Sequence, residues 1–157
     1  MSIVFISYAH ADRNQVTPIL NSLETAGIDI RIDEKFLDTG DSTSFQISSQ
    51  IRSADFVIVF LSAISVHSEW VKKEIFEVLY RELTTKASCL LLCKLESCEI
   101  PDYFTRWKQF DRVYLDLTKD PISKLLARMN KGKRPIFEDE QFIYLNLPIP
   151  LLHVYLT

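Results

Sequence analysis

The chain has little of what would tie it to a membrane, a nucleic acid, a metal or a disulfide framework. No stretch approaches the ~18 to 20 consecutive apolar residues that a bilayer span requires, so no membrane partner is expected. Charge of one sign is also missing. Eighteen Lys and Arg stand against 21 Asp and Glu, a formal net charge of -3, which leaves no electrostatic footprint for nucleic acid. The one basic run, Lys131-Gly132-Lys133-Arg134, reads as a solvated stretch after a helix. Cys89, Cys93 and Cys98 are the three cysteines, an odd number that argues against a disulfide framework. Cys89 and Cys93 stand in an apolar run without histidine partners, so packing is their expected role and no metal site is expected. The sequence opens Met-Ser and enters an apolar segment without a basic leader or a small-residue cleavage site; the expected location is cytoplasmic. Internal repeats and low-complexity segments are absent.

What is there is enough for one core. At 157 residues and 47% hydrophobic, the chain suits one domain plus a short appendage. Val4-Phe5-Ile6 reads as a short buried strand running into a polar loop, Ser7 to Asp12. Val16, Ile19, Leu20 and Leu23 recur at helical spacing, Asp12 with Gln15 resembles a capping box, and Gly27 supplies a stop. Pro18 either kinks this helix or marks its first turn with Thr17 as the cap; the sequence leaves both open. Ile28 to Asp33 alternates strictly and suits an edge strand with one wet face. A polar loop, Glu34 to Ser42, precedes a short helix with Ile47, Ile51 and Ala54 on one face.

Phe56 to Leu61 shows no alternation, the pattern of a central parallel strand covered on both faces. A helix over Ser68 to Leu83 carries Val71, Ile75, Val78 and Leu79 as its inward stripe, with Trp70, Glu74, Glu77 and Arg81 on a neighbouring one. Leu90 to Cys93 and Val113 to Leu117 read as the fourth and fifth strands, and Ile122, Leu125, Leu126 and Met129 mark a last helix. Five alternations of strand and helix select an α/β fold, a flavodoxin-like five-stranded parallel sheet with helices on both faces. Ligands of such sheets bind outside the strand C-termini where strand order reverses. Ser7, Tyr8, Asp33, the Glu34 to Ser42 loop and Ser62 belong to that rim.

Trp70 and Glu74 lie one turn apart at the start of the helix that leaves it. An aromatic face and a carboxylate at i and i+4 can hold a flat cationic ring beside a negative charge. Val78 is the i+4 neighbour of Glu74, so no intrahelical ion pair accounts for it, whereas Glu77 has Arg81. A receiver-type phosphoacceptor of similar topology would need an Asp after the third strand, where Ser62 stands.

In ordered blocks along the chain the residues resemble a TIR (Toll/interleukin-1 receptor/resistance protein) domain of the bacterial NAD-cleaving type. Val4 to Asp12 is similar to that family's first strand and loop. Ile30-Arg31-Ile32-Asp33 resembles the second strand, and Gly40-Asp41-Ser42 the end of the long second loop. Phe56 to Ser62 resembles the third strand, and Ser68 to Glu74 its Trp-x-x-x-Glu segment. Thr39 departs from the pattern, since many relatives place Pro before the Gly. The resemblance covers residues 1–130; residues 131–157 form a C-terminal extension, with Phe142 to Leu147 too apolar for a free linker.

The resemblance implies an NAD+ nucleosidase with Glu74 as the catalytic acid. Ser7, Tyr8, Ala9, Asp12, Asp33, Phe36, Gly40 and Trp70 would bind the substrate. No cofactor is implied, because NAD+ is consumed as substrate. Nicotinamide leaves as a neutral molecule and needs no general acid, so one carboxylate can suffice where ordinary glycosidases need two. The Glu34 to Ser42 loop resembles the segment that packs against the next subunit, so self-association through TIR-TIR contacts and a second effector protein are the implied partners. Immune, anti-phage signalling is the implied setting. The same fold also serves a non-catalytic interaction module that assembles signalling complexes, and fold alone does not separate the two.

Overall fold

The computed structural model describes residues 2–32, 44–67, 87–99 and 114–135, together with 78, 81–82 and 85. Its strands are β1 (Ile3–Ser7), β2 (Asp29–Arg31), β3 (Phe56–Leu61), β4 (Ala87–Ser88), β5 (Leu90–Lys94), β6 (Tyr114–Asp116) and β7 (Arg134–Pro135). The helices are α1 (Arg13–Thr25), α2 (Ser44–Ser53) and α3 (Ile122–Asn130), and residues 78, 81–82 and 85 are helical as well.

β2-β1-β3-β5-β6 is the order of a five-stranded sheet, and every pairing in it is parallel. The unbroken apolar runs take the middle because both faces there are covered. All six residues of β3 are buried. Alternate residues Val4, Ile6, Tyr8, Phe56, Ile58, Phe60, Leu91, Cys93 and Leu115 share one face and pack with Val16, Leu20 and Leu23 of α1 and Leu125 and Met129 of α3. On the other face Phe5, Val57, Val59, Leu61, Leu90 and Leu92 are buried too, as are Ile51 of α2 and the helical Val78. Each such side chain contributes about 1.5–3 kcal/mol when fully buried.

β2 is the edge strand that its alternation predicts. Ile28, Ile30 and Ile32 turn to the core, while Arg31 and Asp29 meet on the wet side at 2.7 Å. Gly27 ends α1 as expected, with φ +86. Its amide donates to Glu24 O at 2.9 Å and the Ile28 amide to Leu23 O at 3.2 Å, the paired bonds of a Schellman motif.

Two helix-start expectations resolve differently. Pro18 lies inside α1, and Thr17 is a helical residue whose hydroxyl donates to Arg13 O at 2.7 Å, so Thr17 is no cap. The helix tolerates the proline because Pro18 and Asn14 are both on its exposed side, where water can take the carbonyl that the missing amide leaves. The Asp12 side chain, at the N-cap position, makes no capping bond; its partner lies elsewhere.

Past α3, Gly132 has φ +78 and β7 pairs antiparallel with β4. The chain segment just beyond residue 130 is therefore held against the segment that leads into β5.

Candidate active site

A parallel sheet whose chain steps from β1 outward to β2 and then back across to β3 has its reversal between the C-terminal ends of β1 and β3. Loops leaving neighbouring strands there diverge, which opens the usual ligand crevice. Ser7, Tyr8, Ala9 and Asp12 follow β1 at that point and Ser62 follows β3, with Ser7 in register with Val59. Of the expected substrate-binding residues, the structure thus gathers these four on one turn. Ala9 is half-buried and leads into a 3-10 turn over His10–Asp12. Ser7, Tyr8 and Asp12 are buried, and Tyr8 is part of the hydrophobic core. Asp33, Phe36, Gly40, Trp70 and Glu74 lie outside the described residues.

The Asp12 carboxylate is the partner of a serine pair. Ser62 Oγ donates to Asp12 Oδ2 at 2.5 Å across 50 residues of sequence. Ser62 N donates to Ser65 Oγ at 2.7 Å, Ser65 N donates back to Ser62 Oγ at 3.1 Å, and Ser65 Oγ reaches Phe60 O at 3.1 Å. Asp12 is 3% exposed and both serines 0%. Local pattern in the sequence made Asp12 a cap and Ser62 a rim residue; the contact between them and the role of Ser65 were missed. A serine ending a wholly apolar strand was the available signal, since a buried hydroxyl needs a partner.

The neighbouring strand exits carry charge. Glu96 Oε1 accepts the Ala63 amide at 3.0 Å, which ties the turn after β3 to the turn after β5. Asp116, at the end of β6, is held below the usual carboxylate range, first by the Thr118 hydroxyl and then by the Thr118 amide, with Lys119 and Lys94 assisting against partial desolvation. Burial raises the Cys98 thiol above its ordinary value, Lys94 opposes this, and Glu96, Asp116 and Asp12 add to it. That surrounding favours the protonated, unreactive thiol. Among the described residues no group of three His, Cys, Asp or Glu side chains is arranged to hold a metal ion, and no helix is long and apolar enough to cross a membrane.

One further acid was missed. Glu82 is fully buried and its Oε1 accepts the amides of Cys89 and Leu90, each at 2.7 Å. Arg81, beside it, donates to Ile51 O at 2.5 Å; its expected partner Glu77 lies outside the described residues. These two side chains fasten their helical segment to the start of β5 and to the end of α2.

Comparison with known proteins agrees with the topology. The "2' cyclic ADP-D-ribose synthase AbTIR" of Acinetobacter baumannii is 27% identical over 128 residues, 80% of this chain and 47% of that protein. The "NAD(+) hydrolase TcpC" of Escherichia coli O6:H1 is 33% identical over 78 residues, 49% of this chain and 25% of that protein. The chain therefore spans less than half the length of these curated relatives. The TIR domain of the Toll-related receptor TRR-2 from Hydra magnipapillata superposes with a TM-score of 0.60 at 22% identity, covering 82% of this chain and 94% of that one. For the TIR domains of the activated Roq1 resistosome the TM-score is 0.58 at 20% identity, with 83% and 98% covered. The model of the family described as TIR domain matches residues 4–129, and the chain belongs to the TIR domain family.

Proposed function

We propose that this chain is an NAD+-cleaving TIR enzyme that releases nicotinamide and forms ADP-ribose or a cyclic ADP-ribose isomer. The observation that carries the reading is Trp70 followed by Glu74 in the segment after β3, in a chain whose curated relatives bear the names of a 2' cyclic ADP-D-ribose synthase and an NAD(+) hydrolase. The parallel sheet supports it by setting a strand-order reversal beside Ser7 to Asp12.

The chemistry asks for little machinery. The nicotinamide of NAD+ is a pyridinium and departs uncharged, so the barrier lies in the positive charge that grows on the ribose ring. Glu74 offsets that charge and holds ribose hydroxyls, an electrostatic contribution that is strongest in the transition state. Trp70 offers a flat face to the cationic ring. Ser7, Tyr8 and Ala9 line the substrate at the end of β1 with Asp12 behind them, and Asp33, Phe36 and Gly40 add to its binding. Water attacking the anomeric carbon gives ADP-ribose, and a nucleophile within the ADP-ribosyl group gives a cyclic isomer. Activity in a cytoplasmic, anti-phage signalling setting, with assembly through TIR-TIR contacts and a second effector protein, completes the reading.

The test is incubation of the purified chain with NAD+ and chromatographic detection of nicotinamide, beside Glu74→Ala and Glu74→Gln. Turnover by the parent and a loss of about 10²–10³-fold in both folded variants is the expected result. Parent and variants alike without turnover, also after forced assembly at high concentration, would leave a non-catalytic assembly module.

A further inference from the structure

The buried Asp12–Ser62–Ser65 cluster has an arrangement that neither helix capping nor packing requires. Asp12 occupies the N-cap position of α1 yet makes no cap bond, forgoing the contact that an aspartate there commonly supplies. Its carboxylate crosses instead to the serine that ends β3. Hydrogen counting fixes the direction of the bonds. Ser62 Oγ accepts the Ser65 amide and Ser65 Oγ accepts the Ser62 amide. The Ser62 hydroxyl proton goes to Asp12, and the Ser65 proton goes to the Phe60 carbonyl at 3.1 Å, with the Ser62 carbonyl at 3.4 Å as a second acceptor. Asp12 is the acceptor in the bridging bond. Its side chain is 3% exposed and those of the serines 0%, so breaking the bond would strand buried polar groups.

Position gives this bond its consequence. It bridges the ends of β1 and β3, the place where strand order reverses, and so joins the first loop to the chain that goes on to Trp70 and Glu74. On its far side the β3 exit is held again, through Ala63 N to Glu96.

We propose that Asp12 is a positioning residue: through Ser62 it holds the first loop and the β3 exit as one unit, and it serves NAD+ cleavage through that bond and not by touching substrate. The inference rests on the NAD+-cleaving reading. Asp12→Ala and Ser62→Ala then both remove the bridging bond, Ser62→Ala together with the acceptor of the Ser65 amide. Each lowers kcat by a similar factor, on the order of tenfold, with a smaller change in KM. The double variant is no worse than the poorer single, the signature of two residues acting as a pair. Asp12→Asn keeps an acceptor oxygen for the Ser62 hydroxyl and restores most of the rate.

The experiment combines NAD+ kinetics of these four variants with hydrogen exchange of the parent and Ser62→Ala, all below their melting temperatures. Ser62→Ala raises amide exchange in residues 8–12 as well as in 62–67. Multiplying losses in the double variant, a raised KM for Asp12→Ala with Ser62→Ala silent, or exchange changes confined to 62–67 would each overturn the proposal. Ser62→Ala removes only a hydroxyl, so the test stands even where Asp12→Ala does not fold. A parent without turnover refutes the NAD+ reading and with it the catalytic part of the inference, while the exchange arm still decides the coupling.

Discussion

Glu82 gives the sharpest test of how this sheet is held. The carboxylate has no exposed surface and accepts two amides at 2.7 Å, those of Cys89 and Leu90 where β5 begins. Leaving a buried amide without an acceptor costs about 1–3 kcal/mol, so Glu82→Ala, which strands two, is expected to cost about 2–6 kcal/mol. Glu82→Gln keeps a carbonyl oxygen where Oε1 stands, so these two bonds lose the added strength of a charged acceptor and not the acceptor itself, an expected cost of about 1–2 kcal/mol. For a domain of this size each kcal/mol lowers Tm by about 2–4 °C, so the alanine variant should melt on the order of 10 °C below the parent and the glutamine variant only a few degrees below. Urea titration with far-UV circular dichroism measures the same difference as a shift in midpoint at constant slope. An alanine variant within about 1 kcal/mol of the parent, or a glutamine variant as unstable as the alanine one, would refute the claim that acceptance of these two amides by Glu82 holds the start of β5.

Gly27 should resist substitution for its backbone and not for its space: a Cβ there meets nothing within 4 Å, but φ is +86, so Gly27→Ala should lose about 1–2 kcal/mol in the same titration. Burial pushes the Cys93 thiol up to about 12, whereas the unfolded chain loses that proton near about 8.5. The folded state keeps a proton that the unfolded state gives up, so this contribution is fully present below the unfolded value and is lost as pH rises toward 12. Urea midpoints taken from pH 8 upward should fall more steeply for the parent than for Cys93→Ala; equal slopes would contradict the assignment.

The elements that packing decides were legible in the sequence, and those that distant polar contacts decide were not. An unbroken apolar run gave β3 its central place, and strict alternation gave β2 its edge, because side-chain period and two-sided burial are local properties. Pro18 stayed ambiguous because the outcome depends on which side of α1 meets water. The expected site divides the same way. Ser7 to Asp12 follow from the strand they end; Trp70 and Glu74 were singled out by their i, i+4 spacing and Asp33 by its rim position, Phe36 and Gly40 by resemblance, and all five lie outside the described residues.

Glu82 was missed and Asp12 was read as a cap for one physical reason. A carboxylate looks solvated, or looks like a cap, when only residues within four positions are considered, and the partners of these two lie 7, 8 and 50 residues away. Both nonetheless carried a mark. Glu82 follows Val78 by four on the inward stripe, where an acid must be buried and must find donors. Asp12 precedes the first helix of a fold whose strand order reverses beside it, and Ser62 directly follows β3, a strand with no polar residue at all. Period, topology and the obligation of buried polar atoms to pair, taken together, restrict the partner of each acid to the ends of strands.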